Sequence, residues 1–111
     1  MHTVVETPSY ISRAEGILGG EGMDEVVKAV SANPEIGEVM RGTGGFRKFR
    51  ASRPGMGKRG GARVVYIYRN EQFPIFLITV FAKNNQGNLS RSECNALKAR
   101  ADEIFESYGA K

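Results

Sequence analysis

The sequence predicts an α+β fold, and three observations on its 111 residues carry that expectation. Apolar residues repeat at helical spacing in the N-terminal third, three consecutive apolar or alternating segments follow in the middle, and helical spacing returns at the C-terminal end. The expected order is β-α-α-β-β-β-α, an antiparallel sheet packed by N-terminal helices and a C-terminal helix. The length suits a single domain spanning residues 1–111.

Thr3 to Thr7 is rich in β-branched residues and precedes Pro8, which predicts a short first strand. A helix is expected from about Ser9 to Leu18, closed by Gly19-Gly20, and a second from about Met23 to Ala32 with Val26, Val27 and Val30 on one stripe. Asn33-Pro34 stops it, because a residue before proline avoids the helical region. Ile36 and Val39 are expected to tuck under the next segment. Gly42-Thr43-Gly44-Gly45 reads as a turn. Phe46 to Ala51 alternates, with Phe46, Lys48 and Arg50 on one side and Arg47, Phe49 and Ala51 on the other. Pro54 and four glycines make 52–61 a loop. Ala62 to Arg69 is a strand, and Ile75 to Ala82, the most apolar segment, suits a strand inside the sheet. Ser90 and Glu93 form a capping box. Leu97, Ala101, Ile104, Phe105 and Tyr108 then mark one face of the last helix.

Charge points to the partner. The net charge is +4, yet no acidic residue lies between Glu38 and Glu71, a stretch with nine lysines and arginines. So dense a field of one sign repels itself unless an anion binds there. Phe49, Tyr66 and Tyr68 interrupt the charges, the pattern of a phosphate-binding surface more than of a solvated face. Cys94 is the sole cysteine and His2 the sole histidine, so neither an internal disulfide nor a protein-built zinc site is expected. No metal and no cofactor is expected. No apolar run approaches the roughly 20 residues of a membrane helix, and no signal-peptide pattern opens the chain, so a cytoplasmic protein is expected.

Gly55-x-Gly57-x-x-Gly60 has the spacing of a dinucleotide fingerprint, but that motif needs a helix after it, and Val64 to Tyr68 are strand residues. Gly57-Lys58 is no P-loop either, since Arg59 stands where a magnesium-binding Ser or Thr belongs. The glycines instead let a basic loop approach a phosphate closely.

Gly42 to Arg50, the run Gly55-Met56-Gly57-Lys58-Arg59-Gly60-Gly61-Ala62-Arg63-Val64-Val65-Tyr66, and Ile78 to Lys83 together resemble the HigB-type branch of the RelE/ParE toxin superfamily. Val5-Glu6-Thr7 and the Asn33-Pro34 step extend the resemblance over most of the chain. It implies a small RelE-like fold, ribosome-dependent cleavage of messenger RNA, and neutralisation by a cognate antitoxin, usually of helix-turn-helix type. The family often carries an aromatic hydroxyl where Phe81 stands, which leaves only stacking to this side chain.

RNA brings its own nucleophile, the 2′-hydroxyl. A cleaving protein must align it, take its proton, stabilise the phosphorane and protonate the 5′-oxygen. The basic stretch holds no histidine or carboxylate, and arginine is a poor base, so a side-chain base there is a lysine. Neighbouring cations and desolvation lower a lysine's pKa towards usefulness. The resemblance points to Lys48 for this step, with Arg50 beside it, Arg63 as the bidentate phosphate clamp, and Lys83 as acid or second clamp. Arg47, Arg53, Lys58, Arg59 and Phe81 are then expected to hold messenger or ribosomal RNA. Rival readings are a toxin of the same fold acting on DNA gyrase, a non-enzymatic RNA-binding module, and an inactive toxin.

Overall fold

A computed structural model describes residues 2–52, 61–82 and 90–109. The element order is β1 (Val4–Glu6), α1 (Pro8–Ile17), α2 (Gly19–Ala32), β2 (Glu38–Val39), β3 (Phe46–Ala51), β4 (Ala62–Ile67), β5 (Ile75–Ala82) and α3 (Arg91–Gly109). The strands form one sheet in the order β1-β5-β4-β3-β2.

The α+β class and the antiparallel β3-β4-β5 meander are as expected. Two features correct the simple antiparallel picture. β1 joins the sheet parallel to β5, with Val4 opposite Ile75, so the sheet is mixed. β2 adds a short antiparallel edge, with Glu38 opposite Lys48 and Val39 opposite Arg47. Two exposed residues carry no alternation for sequence patterning to detect. Ile36 and Val39 are exposed, 44% and 52%, rather than tucked under the following segment.

Thr7 starts α1. Its side chain accepts a hydrogen bond from the Tyr10 backbone N–H, the Thr7 hydroxyl donates to the Leu77 carbonyl at 2.8 Å, and Pro8 sits in the first turn. Cap and sheet are thereby tied by one side chain. The break between α1 and α2 is sharper than expected. Gly19 takes a φ of +72°, reversing the chain in one residue, and α2 begins there rather than at Met23. The capping box of α3 forms as expected: Glu93 N–H donates to the Ser90 hydroxyl at 3.1 Å, and Ser90 N–H to the Glu93 carboxylate at 2.9 Å.

Helices cover both faces of the sheet. On one, Tyr10, Ala14, Leu18, Val26 and Val30 of α1 and α2 pack on Val64, Tyr66, Ile75, Leu77 and Val80. On the other, Ala101 and Phe105 of α3 pack on Phe46, Val65, Ile67, Phe76 and Ile78. Burial on both faces explains why β5 reads as a continuous apolar run. Tyr66 also organises the segment before β2. Its hydroxyl donates to the Pro34 carbonyl and accepts from the Gly37 N–H, both at 2.8 Å. A Cβ on Gly37 would meet the Tyr66 ring at 2.8 Å and the Lys48 carbonyl at 2.9 Å, so only glycine fits.

Tyr10 supplies a pH test of this core. Its hydroxyl is buried without a hydrogen-bond partner, and burial, with a smaller contribution from the Glu6 charge, pushes its pKa from 10.0 to about 12. Burial likewise raises Tyr66, against the opposing pull of the Gly37 N–H and the Arg47 charge. The folded state therefore holds these phenols neutral. Their contribution is complete below pH ~10 and is lost as pH climbs through the raised values, by roughly 2 kcal/mol for Tyr10. Denaturant midpoints should stay level to about pH 10 and then fall. Tyr10→Phe should flatten that fall at no cost near neutrality, because the hydroxyl it removes bonds nothing.

Candidate nucleic-acid interface

The α3-side face of the sheet is divided into two halves. α3 crosses the end where Phe46, Ile67 and Phe76 stand in register. Its N-terminal part lies by the β2–β3 turn, where a Cβ on Gly44 would touch Lys98, and its C-terminal part sets Phe105 edge-on against Phe73 and Phe76 at 5.0 and 5.8 Å. Four residues further along β3, about 13 Å at the rise of a strand, the same face turns cationic.

There the register sets Arg50 opposite Arg63, and Arg63 opposite Phe81, one residue from each of three neighbouring strands. Strand spacing places each within about 5 Å of the next at Cβ. Two arginines directly opposite one another repel, and such pairs destabilise a sheet. Arg63 also keeps one guanidinium nitrogen, Nη1, buried with no hydrogen-bond partner. An unmet buried donor costs about 1–3 kcal/mol, more when charged. A phosphate between the two guanidinium groups would offset their mutual repulsion, and the half-buried Phe81 ring stands beside Arg63. Lys48 lies two residues back on the same face of β3, half-buried.

Eight of the nine cations of the basic stretch, all but the exposed Arg41, thus divide. Lys48, Arg50 and Arg63 gather on the open half-face. Arg47 points to the other face, where its guanidinium donates to the Gly37 carbonyl at 2.8 Å and the Glu35 carbonyl at 3.3 Å and lies 3.6 Å from the Glu35 carboxylate. Its contacts are those of a brace for segment 34–37. Arg69 stacks over the Phe105 ring at 4.1 Å, a cation–π contact that pins α3. Arg53, Lys58, Arg59 and Lys83 lie outside the described residues, though Lys83 directly follows the last residue of β5.

One residue escaped the sequence reading. Glu38 entered it only as the boundary of the acid-free stretch, but β2 pairing sets it directly opposite Lys48. A carboxylate in register with the lysine sets an opposite charge directly across from it. Only the pairing of a two-residue strand brings the two together, and no periodicity announces it.

Among the described residues, no helix is long and apolar enough to cross a membrane. A family model described as the RelE toxin of the RelE/RelB toxin-antitoxin system matches residues 23–111. The match takes in α2 from Met23 onward and every strand that contributes to the cationic half-face.

Proposed function

The chain belongs to the RelE toxin family, the toxin half of a toxin–antitoxin pair, and from that premise we propose that it is a HigB-type, ribosome-dependent endoribonuclease that cuts messenger RNA during translation in the cytoplasm. The observation that carries this reading is the Arg50–Arg63–Phe81 row, two opposed guanidinium groups and a ring on one open half-face.

In the proposed reaction the RNA 2′-oxygen attacks the adjacent phosphorus. Lys48 takes the 2′-hydroxyl proton, directly or with Glu38 as its relay. Arg50 and Arg63 hold the non-bridging oxygens, whose charge grows in the phosphorane. The bond to the 5′-oxygen breaks, that oxygen takes a proton from Lys83, and a 2′,3′-cyclic phosphate remains. Phe81 stacks on a neighbouring base, which orients the phosphate for in-line attack. Arg53, Lys58 and Arg59 neutralise flanking phosphates. Every step uses charges the chain itself supplies, so no metal is needed. The cognate antitoxin is of helix-turn-helix type in this reading.

Among the described residues the half-face is a strand surface rather than a pocket, so in this reading the ribosome presents the strand. Induction in a bacterium, with mapping of the new RNA ends, should reveal in-frame cuts confined to translated regions. Purified protein should cut ribosome-bound message far faster than naked message. Equal rates on the two substrates, or cuts outside translated regions, would refute ribosome dependence.

A further inference from the structure

The register that sets Lys48 opposite Val65 also sets Val65 opposite Thr79, so a second row crosses the open face beside Arg50, Arg63 and Phe81. β1 pairs with β5 only as far as Leu77, and from Ile78 onward no strand covers the outer edge of β5 among the described residues. Two arginines from outside the basic stretch meet at that edge. Arg13, the only lysine or arginine of α1, donates to the Thr79 hydroxyl at 3.4 Å. Arg100 of α3 donates to the Ser9 hydroxyl at 3.4 Å, and Ser9 donates to the Ile78 carbonyl at 3.0 Å. α1 and α3 pack on opposite faces of the sheet, so the two guanidinium groups come round the edge from either side. Ser9 and Arg13 are one helical turn apart on α1, which makes the two arginines neighbours.

Their contacts are weak. A separation of 3.4 Å lies beyond the usual hydrogen-bond range, and both acceptors are neutral hydroxyls. Among the described residues the one ion pair is that of Arg47 with Glu35, so no carboxylate neutralises either group. Arg13 is exposed and Arg100 half-buried, and both are open to solvent. Two like charges gathered without a counter-charge repel one another, and an anion between them offsets that repulsion.

We propose that Arg13 and Arg100 form a phosphate site for single-stranded RNA at the β5 edge, taking a phosphate that flanks the one between Arg50 and Arg63. The proposal rests on the ribonuclease reading above. Thr79 lies two residues from Phe81 on the same side of β5, and two strand spacings, about 10 Å, from Lys48. The RNA strand thus crosses the sheet from β3 to β5 and leaves over the edge between α1 and α3. Each guanidinium offers paired N–H donors to a phosphate diester. Continuity with the cationic row selects RNA as the occupant over an acidic peptide.

The test uses the full chain and a single-stranded oligoribonucleotide whose 2′-hydroxyls are methylated, so that it binds without being cut. Arg13→Gln/Arg100→Gln should bind it about tenfold more weakly. The slope of log affinity against log salt should shrink by about 0.7, the share of one phosphate contact on a single strand. Arg13→Lys/Arg100→Lys should recover most of the affinity, and Arg13→Gln alone, at an exposed position, should reproduce part of the loss. If the arginines only tie α1 to α3, the double glutamine variant loses thermal stability while the exposed Arg13→Gln variant binds the oligonucleotide like the unchanged chain, which overturns the proposal. A loss confined to ribosomes without message, with oligonucleotide binding intact, also overturns it, because the occupant is then ribosomal RNA. Cutting by the unchanged chain reads the ribonuclease assignment separately: arginine-dependent binding by a chain that cuts no message leaves the phosphate site standing and removes the proposed activity.

Discussion

Arg63→Ala should lower the single-turnover cleavage rate on the ribosome by about 10²–10³ while weakening ribosome binding much less. Arg63 sits between Arg50 and Phe81 in register, at the middle of the cationic row, with a guanidinium nitrogen already withdrawn from water and bonded to nothing. A donor held this way is organised before the substrate arrives, and its attraction rises as the phosphate gains charge in the phosphorane. Its loss therefore falls on the rate more than on the affinity. Removing it should also relieve the repulsion with Arg50 and the unmet donor, so the variant should unfold at higher denaturant than the unchanged protein. Slower chemistry in a more stable protein is the signature of a strained functional cation; a merely structural arginine would lose stability when removed. A variant that cleaves at the unchanged rate once bound would move the clamp to Arg50.

Lys48→Arg should abolish most cleavage despite keeping the charge, with a loss of about 10²–10⁴. Arginine stays protonated in proteins and cannot accept the 2′-hydroxyl proton. If Lys48 contributes only positive potential, the arginine variant should retain most of the rate, and the proton-transfer role falls. Single-turnover rates of the two proteins on ribosome-bound message decide the case. Glu38→Gln, which neutralises the residue opposite Lys48, should slow single-turnover cleavage and leave ribosome affinity unchanged, as expected of a residue that acts through the lysine.

The elements with a long period were legible in the chain itself. Leu97, Ala101, Ile104, Phe105 and Tyr108 announce α3, and the Ser90–Glu93 box marks where it begins, because both depend on spacings within one segment. The β3–β4–β5 meander follows from three consecutive strand patterns with short connections. Alternation along β3 already grouped Lys48 with Arg50 and separated them from Arg47, because side chains in a strand alternate by covalent geometry. The composition of the basic stretch likewise raised the expectation of an anionic partner.

The chain could not state which strands lie side by side and in what register. That Arg50 meets Arg63, that Arg63 meets Phe81, and that Glu38 meets Lys48 are facts about distant residues. Arg47 and Arg69 look like their neighbours in sequence, yet the first is drawn to the Gly37 carbonyl and the second to the Phe105 ring. The parallel direction of β1 is set by where α1 and α2 pack, a matter on which its own three residues are silent. Local spacing governs what a segment becomes, since its hydrogen bonds and apolar stripe are internal to it. Which segments meet depends on burying those stripes together, and only the packed core selects the one pairing that turns a run of like charges into a phosphate-sized row.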